Sequence, residues 1–140
     1  MPTRRISLTL SLLQAREAAM RFFRPQLNLH GLTEQQWRVI CLLRQHGELE
    51  SHQLAHLACI LRPSMSGVLA RLERDGMVRR RKLAEDQRRV MVSLAEKGEA
   101  CFQSMSVEME RNYRRIQEQL GEEKLTTLIE LLGEVKGLRP

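Results

Sequence analysis

The sequence predicts a mainly α-helical chain interrupted by one small β-hairpin. Three observations carry that expectation. Of 140 residues only 8 are Gly and 4 Pro, with a single Trp and a single Tyr, which favours helices over a sandwich or barrel. Apolar residues recur at helical spacing through most of the chain, and the period switches to two only near its middle, at Val90, Val92 and Leu94. An apolar content of 42% over this length allows one domain, or one domain with oligomerisation arms, and leaves little room for two independent cores.

The elements follow in order. Residues 6–24 read as a first helix, with Leu12, Arg16, Met20 and Phe23 on one stripe and Leu13 and Ala19 beside them. Pro25 should kink or end it, and 28–31 should form a loop. Thr33-Glu34-Gln35-Gln36 has the form of a capping box. The helix it opens carries Trp37, Ile40 and Cys41 to about Gln45 and stops at Gly47. Ser51 is the expected N-cap of a short helix with Leu54, Ala55 and Ala58 on one face, ending near Ile60. Pro63 suits the first turn of the next helix, which runs to about Arg74 with Met65, Val68, Leu69 and Leu72 inward and ends at Gly76. Met77–Leu83 and Arg89–Leu94 read as strands around a tip at 84–88. A long helix is expected from Ala95 to Leu120, stepping through Cys101, Met105, Met109, Tyr113, Ile116 and Leu120. Gly121 breaks it, and Glu122 and Glu123 favour a new helix N-terminus. That last helix is amphipathic through Leu125, Leu128, Ile129, Leu132 and Val135.

Charge is concentrated in one place. Residues 62–89 hold nine Arg/Lys against four Asp/Glu, a surplus of five out of the chain's formal net charge of +6. The remainder, fourteen basic against thirteen acidic residues, is nearly balanced. A folded segment holding the charge of the whole chain is what a phosphate-facing surface requires.

Helix, tight turn, second helix and hairpin together make a winged helix-turn-helix, expected over residues 33–94. Its second helix turns outward Ser64, Ser66, Gly67, Arg71 and Arg74, small or cationic side chains that allow approach to base edges in a major groove. Arg62 lies at its start. The hairpin adds Arg80, Lys82 and Arg89, and sets Arg88 at its tip, where a narrow minor groove attracts a guanidinium. Asp86, two residues before, is placed to hold Arg88. The competing reading is a solvated hairpin with no partner, in which four consecutive cations at 79–82 repel one another for no gain. Segments 1–32 and 95–140 are read as helical arms that pair two copies, because their apolar stripes have little of their own domain to cover them.

The sequence resembles the MarR family of winged-helix repressors. The residues that carry the likeness are Gly31-Leu32-Thr33 with Gln36-Trp37; Leu54-Ala55; Leu72-Glu73-Arg74-Asp75-Gly76-Met77-Val78; Asp86-Gln87-Arg88; and Leu94-Ala95-Glu96-Lys97-Gly98. They run in order along essentially the whole chain. In overall wording the sequence is most similar to regulators of homoprotocatechuate (dihydroxyphenylacetate) degradation operons. Ala95 departs from the family's common Thr, removing a side-chain N-cap worth about 1 kcal/mol. The resemblance implies a homodimer on a pseudo-palindromic double-stranded DNA operator, with a cleft for a small aromatic carboxylate between the arms and the winged domain. Arg16, a cation within an apolar stripe, suits such a carboxylate, with Trp37 and His30 completing the pocket. A salt bridge from Arg16 to a Glu across the dimer interface is the equal alternative. A MarR-type regulator of stress, drug or redox response with another inducer also remains open.

Other chemistries find less support. His52 and His56 have metal-ligand spacing, but no Cys or obvious carboxylate accompanies them, so no metal is expected. Cys41, Cys59 and Cys101 are odd in number and widely spaced, as in a reduced compartment, and Cys41 and Cys101 fall on apolar faces that disfavour the thiolate. Neither a phosphate loop nor a Ser/His/Asp ordering points to an enzyme, and no cofactor is expected. The first sixteen residues are too interrupted for a signal peptide and no apolar run spans a membrane, so the expected location is the cytoplasm. Two rivals of another class are a winged-helix protein-interaction module and an RNA binder. Arg88 at the hairpin tip speaks against the first, and the lack of aromatic residues in 51–94 against the second.

Overall fold

Thr33 and Gln36 close the capping box expected of them. The Gln36 N–H donates to Thr33 Oγ1 at 3.1 Å and the Thr33 N–H donates to Gln36 Oε1 at 3.0 Å. This starts α3 in a computed structural model that describes residues 7–140. The described elements are α1 (Leu8–Met20), α2 (Arg24–Leu29), α3 (Glu34–His46), β1 (Leu49–Glu50), α4 (Ser51–Ala58), α5 (Arg62–Arg74), β2 (Val78–Lys82), β3 (Val90–Leu94), α6 (Glu96–Leu120) and α7 (Glu122–Lys136). By compactness the chain divides into Gln26–Val107 and a second unit formed by the residues up to Pro25 with Glu108–Pro140. The first of these extends past the expected 33–94 at both ends.

Within Gln26–Val107 the core is drawn from every element. Leu27, Val39, Ile40, Leu54, Leu72, Val78, Val92 and Met105 are essentially inaccessible. Helix α4 buries Leu54, Ala55 and Ala58, and α5 buries Met65, Val68, Leu69 and Leu72, the stripes the periodicity predicts. The sheet has order β1-β3-β2 and is antiparallel throughout. Leu49, Val92 and Arg80 stand opposite one another across it, so they share a face. The start of α6 is docked closely on the root of β2. The Ala95 N–H donates to Met77 O at 2.9 Å. At Gly98 an added Cβ would overlap that same carbonyl oxygen and lie 2.8 Å from Leu94 Cδ2, so only glycine fits.

Four sequence expectations are corrected. The first helix does not run through 6–24: it ends at Met20, and α2 begins at Arg24 with Pro25 as its second residue. Proline there blocks no helical bond, since the first-turn N–H groups have no partner, so helix occupies part of the expected 28–31 loop. Residue 6 lies outside the described residues. Ser51 is the first residue of α4 rather than its N-cap; Glu50 holds that place without a side-chain cap bond. The hairpin gains a third strand, because Leu49–Glu50 pairs with β3. Two residues are too few to show periodicity. His52 does have a carboxylate beside it, Glu50, with Nδ1 3.2 Å from Oε1.

The second unit leaves much of its apolar surface exposed. No residue of α1 is buried, and in α7 only Leu125 is. Leu10, Leu13, Tyr113, Leu128, Ile129 and Leu131 are all exposed. The Arg24 guanidinium bonds both carboxylate oxygens of Glu17, at 2.9 and 2.8 Å, and Arg115 lies over the Phe22 ring at 5.2 Å.

Candidate nucleic-acid interface

Helix α5 separates its chemistry by face. Opposite the four buried apolar residues, Arg62, Ser64, Ser66, Gly67, Arg71 and Arg74 are all exposed. Apart from Gly67, small hydroxyls and long cations line this surface, and the glycine leaves open space beside the backbone. Such a face can approach the floor of a major groove without steric conflict. Between α5, α4 and the hairpin lies a cleft of about 350 Å³ whose lining includes Glu50, His52, Arg62, Ser66, Arg80 and Arg88. Arg80 lines this cleft, and with Lys82 and Val90 it also borders a smaller hollow on the hairpin.

The cations of the window are not equivalent. Arg80 bonds Glu73 of α5 at 2.8 Å, and Arg81 reaches Glu48 through two bonds of 3.0 and 2.6 Å. Arg89 bonds both oxygens of Glu50, at 3.2 and 3.3 Å, and Arg74 lies 3.7 Å from Asp75. Arg88 is held at the tip as expected: Asp86 Oδ1 accepts from its backbone N–H at 3.0 Å and from Nε at 3.2 Å, while the side chain stays 92% exposed. Among the described residues Arg62, Arg71, Arg79 and Lys82 have no acidic partner within bonding distance. The guanidinium of Arg81 lowers the Glu48 carboxyl below its ordinary range, that of Arg80 does the same for Glu73, and the Arg88 side chain and N–H together do so for Asp86. Each of these carboxylates tethers a hairpin arginine.

Glu48 and Glu50, which anchor Arg81 and Arg89, are not among the residues the sequence singles out. Their signal was a pair of acids at alternate positions just before a helix start. Glu50 is only 15% exposed and holds Arg89 and His52 together on one carboxylate. Arg38 is likewise unmarked in the sequence, yet its Nη1 donates to Ala58 O at 2.7 Å across the helix-turn-helix.

The three residues expected at an effector are distributed over both units. Arg16 belongs to the arm unit, is exposed, and lies 3.5 Å from Glu17 of the same chain. His30 and Trp37 belong to Gln26–Val107. His30 is exposed and within 3.2 Å of Gln26 Nε2. Trp37 is half-buried and stacks on Phe102 with ring centroids 5.8 Å apart; Arg44 covers the Phe102 ring at 5.4 Å and pairs with Glu99 at 2.9 Å. Nearby on the same two helices, burial pushes the Cys41 thiol up to about 12, with Cys101 adding to the effect, and Cys101 is itself raised by burial. Neither is a ready thiolate. Among the described residues no three His, Cys, Asp or Glu are grouped to hold a metal ion, and no helix is long and apolar enough to cross a membrane.

Comparison with known proteins places this geometry. The MarR family model matches residues 32–90. The homoprotocatechuate degradative operon repressor of Escherichia coli is 48% identical over 128 residues, covering 91% of this chain and 86% of the relative. The crystal structure of transcriptional regulator PA4135 superposes with a TM-score of 0.95 at 72% identity, over 97% of this chain and 100% of that one. NadR in complex with 4-hydroxyphenylacetate superposes with a TM-score of 0.87 at 45% identity, over 99% and 100% of the two chains.

Proposed function

The chain belongs to the MarR family, and on that basis we propose that it is a cytoplasmic, homodimeric repressor of an aromatic-compound catabolic operon. It binds a pseudo-palindromic operator and leaves it when a small aromatic carboxylate of the hydroxyphenylacetate or homoprotocatechuate type is bound. The family is one of transcriptional regulators, not enzymes.

The observation that carries the DNA-binding part is the outward face of α5 beside a cationic hairpin. Ser64, Ser66 and Gly67 take the base edges. Arg62, Arg71 and Lys82 take the backbone, Arg74, Arg80 and Arg89 frame the same surface while tied to Asp75, Glu73 and Glu50, and Arg88, oriented by Asp86, enters the minor groove. The uncovered apolar surface of α1 and α7 supports pairing of two copies. The choice of effector rests on the likeness to the Escherichia coli repressor and to NadR with 4-hydroxyphenylacetate. Arg16 is the residue proposed to meet the carboxylate, and Trp37 and His30 are proposed to contribute aromatic and polar contacts to the acid.

Anisotropy of a labelled operator duplex, read with and without 4-hydroxyphenylacetate, tests the proposal. The complex should form as a dimer and dissociate as the acid is added. Trp37 is the chain's single tryptophan and gives an independent reading of acid binding. DNA binding indifferent to aromatic acids would point instead to a regulator of stress, drug or redox response with another inducer. No DNA binding at all would point to a protein-interaction module.

A further inference from the structure

Helix α4 ends where the sequence gives it no glycine. Cys59 takes the left-handed conformation, with φ 56° and ψ 44°, and it is the only non-glycine residue with positive φ among the described residues. The Ile60 N–H returns to Ala55 O at 3.0 Å and the Cys59 N–H to His56 O at 3.2 Å. These are the two bonds of a Schellman motif, with buried Ile60 as its apolar anchor. Four carbonyls lack helical partners at such an end. The motif satisfies those of Ala55 and His56. Leu57 is exposed and Ala58 is buried, so Ala58 O is the carbonyl that needs a protein donor. Arg38 of α3 supplies it at 2.7 Å, placing a cation at the negative end of the helix dipole. Arg38 Nε is buried without a partner, so among the described residues this guanidinium is held by its bond to the turn.

The position of that bond matters because of what comes next. Ala58 is four residues before the start of α5, and the strained turn lies between them. At 13 residues α5 is roughly 20 Å long, so a tilt of about 10° at this joint moves its far end by about 3 Å. That displacement is enough to break a base-edge hydrogen bond and too small to affect a diffuse phosphate attraction.

We propose that Arg38 is a positioning residue for DNA reading: through Ala58 O it fixes the angle at which α5 leaves the turn, and so sets sequence discrimination rather than charge-driven affinity. This rests on α5 being the reading helix. The half-buried guanidinium faces the protein's own backbone, so it adds no phosphate contact.

The test compares Arg38→Gln and Arg38→Lys in the full-length protein. One probe is a duplex that the wild-type protein enriches from a random-sequence pool; the other is a scrambled duplex of the same composition. Affinity for the enriched duplex should fall about tenfold in Arg38→Gln, the loss of one charged hydrogen bond, and by an intermediate amount in Arg38→Lys. Affinity for the scrambled duplex should stay within about twofold, and the salt dependence should not change. An unchanged ratio of the two affinities in either variant overturns the proposal, whatever happens to the melting temperature. A parallel fall on both duplexes with a shallower salt slope also overturns it, because Arg38 would then be a phosphate contact. If Arg38→Gln does not fold, Arg38→Lys decides the matter alone. Failure of the wild-type protein to enrich any duplex refutes α5 as a reader and Arg38 with it, whereas enrichment with an unchanged ratio refutes Arg38 alone.

Discussion

Replacing Arg88 with Ala separates a wing that touches DNA from one that is merely charged. Arg88 is 92% exposed and oriented only by Asp86, so its removal leaves the core and the sheet pairing intact. Per protomer, the cations that remain available near α5 and the hairpin tip are Arg62, Arg71, Lys82 and Arg88, the first three without acidic partners among the described residues. A dimer presents twice that number, and at about 0.9 per phosphate neutralised, log K should fall against log salt with a slope of about −7. Losing Arg88 from both protomers should make the slope shallower by about 2. With the contact worth about 1 kcal/mol per protomer, affinity should drop by about thirtyfold. Asp86→Asn/Arg88→Ala removes the carboxylate that the single variant leaves facing the DNA, and should recover part of that loss. Fluorescence anisotropy at a series of salt concentrations reads both quantities, with dimer mass checked by light scattering. An Arg88→Ala protein with wild-type affinity and slope would refute the wing contact.

Other expectations concern the effector, the fold and the thiols. Arg16→Ala should abolish release by 4-hydroxyphenylacetate while DNA binding survives; retained release would make Arg16 a structural residue. Gly98→Ala should destabilise the protein by about 3 kcal/mol in urea denaturation, at the upper end for overpacking because the added Cβ meets the Met77 backbone; a change below about 0.5 kcal/mol would contradict the close docking of α6. At pH 8 a thiol reagent should modify exposed Cys59 quickly and leave Cys41 unmodified until the protein unfolds. Burial raises the folded Cys41 pKa above its unfolded value, so its stabilising contribution is whole below about pH 9 and is lost as pH rises toward about 12. Urea midpoints measured across that range should decline, and less so in Cys41→Ala.

Much of the fold was legible because its signals are local or periodic. The capping box at Thr33, the inward stripe of α5 and the alternation of Val90, Val92 and Leu94 each depend on neighbours within a few residues, and the structure has all of them. The errors come from elsewhere. Pro25 is expected to kink or end the first helix, yet it stands in the first turn of α2, which tolerates it. Strand β1 is too short to carry a pattern and exists only because β3 lies beside it. The outward residues of α5 could be listed from helical phase alone, and they are exposed. Which arginines are tied was not legible, because Arg81–Glu48 and Arg89–Glu50 join residues 33 and 39 positions apart. The same holds for Arg38, which has no sequence mark distinguishing it from a surface arginine and gains its meaning from a carbonyl 20 residues away.

Selection from a random-sequence duplex pool by the full-length protein tests most directly whether two copies of α5 read DNA. Enrichment should yield an inverted repeat with half-site centres about 10 base pairs apart, or a multiple of that spacing, so that two reading helices meet successive major grooves on one side of the duplex. A pool that stays random after enrichment, or one that converges on a single unrepeated site, would contradict a two-fold reader built on Ser64, Ser66 and Gly67.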